Sequence, residues 1–234
     1  MRYKRRMVSS PALPSRRRLL LAFGAAALAP SVARASNRAV QVVVDTGNAP
    51  ELADWGARLH GLILGWWPVI TAQLASPGFE APDTVNIRFA DIRPANVGAF
   101  TEGDTITINR TDILAHPDDT GRVAHELTHI VQAFPRPNIQ WLTEGIADYM
   151  RYYVLLPRDP RRAFDADRIT YQAGYQPAAA LLDWVERTSG AGSVRRVNAA
   201  MRQGGDGELE LYRITGAMPL TLWRGYLRSL PPKA

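Results

Sequence analysis

The sequence predicts an α+β fold, with a small mixed sheet in the N-terminal half and a mostly helical C-terminal half. Two observations support this prediction. Segments with strand patterns are concentrated before residue 110, and segments with helical periodicity dominate after residue 118. Strands that precede helices are typical of an α+β fold rather than of alternating βαβ units. With 234 residues, 46% of them hydrophobic, the chain can form one domain or at most two.

The first half contains segments that are rich in β-branched residues or alternate in polarity, and these predict strands. The predicted strands cover residues 39–44 and 84–90, and a predicted hairpin with its turn at Glu102-Gly103-Asp104 covers 98–109. Between the first two strands, residues 51–74 have apolar side chains at helical spacing. They predict a long helix, which Pro68 should kink or split.

The second half predicts helices that are separated by proline and glycine. Asp118-Asp119-Thr120 offers capping residues for a helix that reaches Phe134, before Pro135 and Pro137 stop it. The other predicted helices cover residues 142–156, 177–188, 191–203 and 219–230.

The first 35 residues have the order of an export signal. A basic start that includes Arg16-Arg17-Arg18 precedes the apolar run Leu19–Ala29, and Ala33-Arg34-Ala35 follows as a cleavage pattern. The arginine run resembles a twin-arginine signal, with an ordinary Sec signal as the alternative. We therefore expect residues 1–35 to direct export by the twin-arginine or Sec machinery, and 36–234 to act in the periplasm or outside the cell. The eleven apolar residues are too few to span a bilayer, so no permanent membrane anchor is expected.

The charge of the chain is concentrated in the predicted signal. Residues 1–35 contain eight of the 28 basic residues and no acidic one, which leaves 20 basic against 22 acidic residues in 36–234. The mature part is therefore slightly acidic, and nucleic-acid binding is not expected. Because the chain has no cysteine, disulfides and thiolate metal sites are excluded. Any metal would be held by histidines and carboxylates.

The segment His125-Glu126-Leu127-Thr128-His129 has the spacing of a metal site on a helix. Its two histidines are four residues apart, so both rings lie on one face and can reach one ion. Glu126 lies next to that face, within reach of a metal-bound water. The apolar stripe that would bury this helix consists of Leu127, Ile130, Val131 and Phe134. The other two histidines, His60 and His116, have no such partners.

Glu144 is the candidate third ligand, because catalytic zinc usually has three protein ligands and a water. It begins the next predicted helix, although a carboxylate at a helix start is also favoured by the helix dipole. Asp148 lies on the same helix face and could accept a hydrogen bond from the outer nitrogen of a ligand histidine. Gly145 suggests a close approach to the metal helix. The residues expected to face the core are Ile146, Tyr149, Met150 and Tyr153.

The segments His125–Gln132 and Trp141–Tyr149 resemble the basic secretory protein family, whose motifs are H-E-x-x-H-x-x-Q and E-G-I-A-D-Y. Further similarity covers Gln172–Tyr175, Leu181–Trp184, Met201–Gly204 and Leu222–Tyr226. The wider resemblance is to gluzincins such as thermolysin. It implies a zincin-like catalytic domain with one Zn²⁺ per chain on His125, His129 and Glu144, and with Asp148 beside a ligand histidine.

Zinc in such a site would lower the pKa of a bound water toward about 7. Glu126 would take the proton of this water and pass it to the leaving amine. Tyr175 is the candidate donor to the scissile carbonyl oxygen. The alternative donors are Tyr149 and Tyr171. The hairpin edge near Phe100 or Thr105–Thr107 could pair with an extended substrate.

The function expected from the sequence is therefore that of an exported zinc metallohydrolase, a peptidase acting on a peptide or protein substrate. Two alternatives remain. One is a zinc amidase that acts on a non-peptide or cell-wall substrate, because the same water chemistry serves both. The other is a secreted binding or stress protein whose zinc site is not catalytic. Glu126 argues against the second alternative, since a purely structural site needs no base.

Overall fold

The computed structural model describes residues 39–94, 96–135, 139–161, 164–166 and 168–231. The predicted export signal, residues 1–35, lies outside these ranges. Within them the chain combines a four-stranded mixed sheet with eight α-helices, which confirms the predicted α+β class. No helix in these ranges is long and apolar enough to cross a membrane.

The sheet is formed by all the predicted strands. They are β1 (Gln41–Asp45), β2 (Thr84–Ala90), β3 (Ala99–Glu102) and β4 (Thr105–Asn109), in the spatial order β1-β2-β4-β3. The pairs β1–β2 and β2–β4 are parallel, and β3 pairs antiparallel with β4. The predicted edge at Thr105–Thr107 is therefore wrong, because β4 is paired on both sides. The edge near Phe100 belongs to β3.

The helices account for most of the remaining chain. They are α1 (Ala53–Gln73), α2 (Arg110–Ala115), α3 (Gly121–Gln132), α4 (Gln140–Tyr149), α5 (Tyr175–Ser189), α6 (Ser193–Arg202), α7 (Gly207–Thr215) and α8 (Pro219–Ser229). The sequence did not predict α2 or α7. Asp206 accepts hydrogen bonds from the backbone amides of Glu208 and Leu209, and this N-cap begins α7 among glycines that indicated a loop.

Helix α1 continues through Pro68, so of the two predicted effects, a kink or a split, the split is wrong. A proline removes the hydrogen bond to the carbonyl four residues earlier, here that of Leu64. Both Pro68 and Leu64 lie on the exposed side of α1, where water can reach the released carbonyl group. The buried residues on the opposite side of α1 are Trp55, Leu59, Ile63, Trp66, Trp67 and Ile70.

Two helices carry the candidate site residues, and their ends differ from the prediction. Helix α3 ends at Gln132, two residues earlier than the predicted end at Phe134. It ends there because the next residue, Ala133, adopts a left-handed conformation with φ of 45°. The predicted helix 142–156 is α4 followed by a π-helix, Met150–Leu155. Single π-helical turns inside helices are frequent near functional sites.

Gly145 allows a close helix contact, but with a different helix from the one predicted. A Cβ atom at this position would lie 2.6 Å from the Cβ of Ala178 in α5. The expected approach to the metal helix is therefore wrong. The small residue lets α4 pack tightly against α5.

Candidate active site

Helix α3 carries His125, Glu126 and His129 along the interior of the fold. It is held there by Leu127, Ile130 and Val131, which are each at most 2% exposed. The predicted apolar stripe therefore packs as expected, apart from a half-buried Phe134. Burial of the stripe directs the polar residues of α3 toward α4 and β3.

The side chains of His125, His129 and Glu144 converge between α3 and α4. The Nε2 atoms of the two histidines are 3.1 Å apart. Oε2 of Glu144 lies 3.1 Å from Nε2 of His125 and 3.7 Å from Nε2 of His129. Ligands that bind a tetrahedral zinc ion at about 2.0–2.2 Å are separated by about 3.3 Å. The three observed separations bracket that value, so these residues fit a zinc ion.

The outer nitrogen of each histidine is also fixed. Nδ1 of His125 donates to Oδ1 of Asp148 at 2.7 Å, and Nδ1 of His129 donates to Oε1 of Gln132 at 2.7 Å. The amide of Gln132 is oriented by its own bond, from Nε2 to the carbonyl oxygen of Thr143 at 2.9 Å. Protons on both Nδ1 atoms leave both Nε2 atoms facing Glu144, as metal ligation requires.

The charges of the cluster stabilise one another. Burial acts to lower the pKa of His125, but the hydrogen bonds to Asp148 and Glu144 outweigh it and raise this pKa to about 10. Burial acts to raise the pKa of Glu144, but the hydrogen bonds to His125 and His129 outweigh it and lower this pKa to about 2. Without a metal, the cluster is therefore held together by an imidazolium between carboxylates.

Glu126 lies beside the cluster and is 9% exposed. Its charge contributes to the raised pKa of His125, after burial and the contacts with Asp148 and Glu144. Its carboxylate oxygen Oε2 accepts a hydrogen bond of 2.8 Å from the hydroxyl of Thr101 in β3. The carboxylate is thus close to the candidate ligands without belonging to them.

Of the three candidate tyrosines, Tyr175 lies at the cluster. Its ring stacks on that of His125, with centroids 5.9 Å apart and planes 16° from parallel, and the residue is 50% exposed. Burial, followed by the charge of Glu144, raises the pKa of Tyr175. Tyr171 instead packs edge-on against Trp141 at 4.7 Å.

Tyr149, the third candidate, is 6% exposed and stacks on Tyr153. The backbone of Tyr175 is held in the left-handed region, with φ of 47°, directly after Gly174. Gly174 also has a positive φ, and a Cβ atom there would lie 3.4 Å from the Cβ of Glu144. This turn therefore brings Tyr175 against the cluster.

Some contacts of the cluster were not predicted. Gln132 was noted only as part of a motif, although its position three residues after His129 on a helix is a signal for contact. Thr101 has no local signal, because it is distant in sequence from Glu126. His60 and His116 are exposed, and His116 contacts Asp112 in the adjacent helix turn.

The fold and the site define an α+β protein with a buried histidine, a half-buried histidine and a half-buried carboxylate on two packed helices, an arrangement that can hold a metal ion. Residues 105–226 match the family model BSP, described as a peptidase of plants and bacteria. Because the match spans just over half of the chain, the chain belongs to this family. The resemblance to the basic secretory protein family is therefore confirmed. Comparisons with curated proteins and with solved structures give no match.

Proposed function

We propose that this protein is an exported, zinc-dependent peptidase of the gluzincin type. The observation that carries the proposal is the convergence of His125, His129 and Glu144, with ligand atoms that all lie within 4.8 Å of one another. The carboxylate of Glu126 lies beside this cluster without joining it. Membership in a family described as peptidases supports peptide bonds as the target.

The set of ligands favours a catalytic site over a structural one. Structural zinc usually has four protein ligands, whereas catalytic zinc has three and an open position. A bound zinc ion would act as a Lewis acid toward the scissile carbonyl group and the attacking water. Asp148 and Gln132 would hold the two imidazole rings in the tautomer that offers Nε2 to the ion.

Glu126 is the proposed general base. Its carboxylate accepts a proton from the attacking water and later delivers that proton to the nitrogen of the leaving amine. Its position next to His125 in the sequence keeps the base close to the ligands on one rigid helix. In this mechanism the carboxylate must be free of the metal, which agrees with its hydrogen bond to Thr101.

Tyr175 is the proposed donor to the carbonyl oxygen of the substrate. The residue is half exposed and its ring stacks on His125. Its hydroxyl group hydrogen-bonds to Glu144 and would turn from there to the carbonyl oxygen of a bound substrate. The raised pKa of Tyr175 keeps the hydroxyl protonated at neutral pH, as a donor requires. The backbone turn at Gly174 sets the direction of the ring.

The substrate is proposed to bind in an extended conformation along β3. Within the described residues, β3 pairs only with β4, so its outer edge can accept another strand. Pairing through the main chain would recognise a peptide without requiring particular side chains. This argument favours a peptide over a cell-wall amide as substrate, by analogy with other strand-adding peptide sites.

Export is proposed from residues 1–35, whose pattern is that of a twin-arginine or Sec signal. The mature protein would then act in the periplasm or outside the cell. A fusion of residues 1–35 to a reporter that is active only after export tests this part. The substitution of Arg16 and Arg17 by lysine should block a twin-arginine route and leave a Sec route intact.

The central experiment is metal analysis and unbiased peptide-library cleavage on residues 36–234, with Glu126→Gln in parallel. We expect about one zinc per chain in both proteins, and cleavage that is sensitive to chelators in the wild type alone. Stoichiometric zinc without hydrolysis of any peptide would contradict the peptidase proposal. Hydrolysis of peptidoglycan alone would support the amidase alternative instead.

A further inference from the structure

Thr101 is the only side chain in the described ranges that hydrogen-bonds to the carboxylate of Glu126. Its hydroxyl oxygen lies 2.8 Å from Oε2 of Glu126 and 3.1 Å from the carbonyl oxygen of the same residue. A hydroxyl group has one proton, and the carboxylate is both the nearer and the charged acceptor. The proton is therefore donated to Oε2, which leaves Oε1 to accept a proton from water.

The two residues belong to different elements of the fold. Glu126 lies in the second turn of α3, and Thr101 lies in the edge strand β3. A glutamate side chain has several rotatable bonds, and its carboxylate would otherwise be distributed among rotamers. A hydrogen bond from a half-buried residue of a paired strand removes this freedom. Threonine is suited to the position because its β-branched side chain is itself restricted.

We propose that Thr101 is a positioning residue for Glu126, which it holds through Oε2 so that Oε1 faces the reacting water. The inference rests on the proposed peptidase function. It also links two parts of that function, because the strand that orients the base is the strand whose edge would pair with the substrate. The base and the substrate backbone are then fixed relative to the same short segment, Ala99–Glu102.

The test compares substitutions at Thr101 in residues 36–234 loaded with zinc. Thr101→Val removes the hydroxyl and keeps the shape, Thr101→Ala removes it without placing a methyl group against the carboxylate, and Thr101→Ser retains it. Thr105→Val is the matched control, since the hydroxyl of Thr105 lies in the same hairpin and donates to Asp104. Glu126→Gln provides the reference for loss of the base.

We expect Thr101→Val and Thr101→Ala to lower kcat about tenfold or more, with KM changed by less than about twofold. Thr101→Ser and Thr105→Val should remain within about twofold of the wild type. Zinc content and the midpoint of urea unfolding should be unchanged, and a crystal structure of Thr101→Val should show the Glu126 carboxylate displaced. If Thr101→Val does not fold, the comparison of Thr101→Ala with Thr101→Ser still tests whether the hydroxyl group is required.

The inference is overturned if Thr101→Val and Thr101→Ala keep wild-type kcat while Glu126→Gln abolishes activity. It is also overturned if Thr101→Ser is as impaired as Thr101→Val, because packing rather than the hydroxyl would then be responsible. If Glu126→Gln keeps full activity, the proposed base is wrong and the positioning role falls with it. These results separate a failure at Thr101 from a failure of the proposed function.

Discussion

Gln132 binds His129 through a hydrogen bond of 2.7 Å between its Oε1 and the Nδ1 of the imidazole. The corresponding partner of the other histidine, His125, is the carboxylate of Asp148, also at 2.7 Å. One candidate ligand therefore has a neutral partner and the other an anionic one. A carboxylate partner makes an imidazole more basic than an amide partner does. The two histidines are thus expected to differ in donor strength.

The first prediction concerns these two partners and the affinity for zinc. Asp148→Asn and Gln132→Leu should each weaken zinc binding by about 10- to 100-fold, because each leaves a ligand ring poorly oriented. The loss should be larger for Asp148→Asn, which also removes a charge. Competition with a chromogenic chelator measures both affinities.

Gln132→Glu is the informative comparison for this prediction. It keeps an acceptor for Nδ1 of His129 and adds the charge that the other histidine already has. We expect zinc affinity at least equal to that of the wild type. Wild-type affinity in Gln132→Leu would show that this hydrogen bond does not contribute to metal binding.

The second prediction concerns proton release on zinc binding. With its pKa raised to about 10, His125 is protonated in the metal-free protein at pH 7 and must lose a proton to bind the ion. Glu144, with its pKa lowered to about 2, is already ionised. About one proton should therefore leave per zinc from this pair. The apparent zinc affinity should fall about tenfold for each pH unit below 10.

Calorimetry in buffers with different ionisation enthalpies measures the number of protons released.

The raised pKa of His125 also predicts how the stability of the metal-free protein depends on pH. The pKa of His125 is raised from 6.5 to about 10, so its protonated form stabilises the folded, metal-free protein. This stabilisation is fully present below pH 6.5 and is lost as the pH rises through about 10. In Asp148→Asn both effects should shrink. Zinc binding without proton release at pH 7 would contradict the prediction.

The third prediction concerns the contact between α4 and α5. In Gly145→Ala the new methyl group would lie 2.6 Å from the Cβ of Ala178, which is completely buried. Overpacking of this kind lowers the free energy of unfolding by about 1–3 kcal/mol, more than the gain of about 1 kcal/mol in helix propensity. Urea unfolding measures the net loss.

Gly65→Ala is the matched control for Gly145→Ala. Gly65 lies inside α1, and a Cβ atom there would meet nothing within 4 Å. This substitution should raise the free energy of unfolding by about 0.5–1 kcal/mol. The double variant Gly145→Ala, Ala178→Gly should recover part of the loss. A stabilising effect of Gly145→Ala alone would mean that the helices separate easily.

Local patterns were sufficient to predict the face of α3 that carries His125 and His129, because helical spacing fixes it. In the same way, the spacing of four residues placed Glu144 and Asp148 on one face of α4. The contacts between elements were not predictable. Gly145 faces α5 rather than α3 because the rotation of α4 about its axis depends on both neighbours at once. Residues that act across such contacts carry no periodic signal.

The fourth prediction concerns Arg202, which ties the end of α3 to the end of α1. Its guanidinium group donates to the carbonyl oxygens of Val131 and Gln132 at 2.6 and 3.1 Å, and to that of Leu74 at 2.9 Å. Arg202→Met would remove these three hydrogen bonds, although the carbonyl oxygen of Leu74 would still accept one from Nδ2 of Asn198 at 3.4 Å. Each hydrogen bond of a charged group contributes about 1.5–3 kcal/mol, so we expect a loss of at least about 3 kcal/mol in the free energy of unfolding.

Arg195→Met is the control for Arg202→Met on the same helix. Arg195 makes one exposed hydrogen bond, to the carbonyl oxygen of Gln73. Its substitution should change the free energy of unfolding by less than about 1 kcal/mol. Arg202→Lys should be intermediate, because an ammonium group cannot reach both helix ends in the geometry of the guanidinium fork. Equal stability of both methionine variants would contradict the capping role.

The fifth prediction separates the two contributions of Tyr175. Tyr175→Phe keeps the ring that stacks on His125 and removes only the hydroxyl group. If that group donates to the carbonyl oxygen in the transition state, kcat should fall about 10- to 100-fold while KM changes little. Zinc affinity should be unchanged, because the ring still covers the ligand. Tyr175→Ala should lose the stacking as well, and zinc should then dissociate faster. A phenylalanine variant with wild-type kcat would assign Tyr175 to shielding of the site alone, since the ring without the hydroxyl group would account for its whole effect.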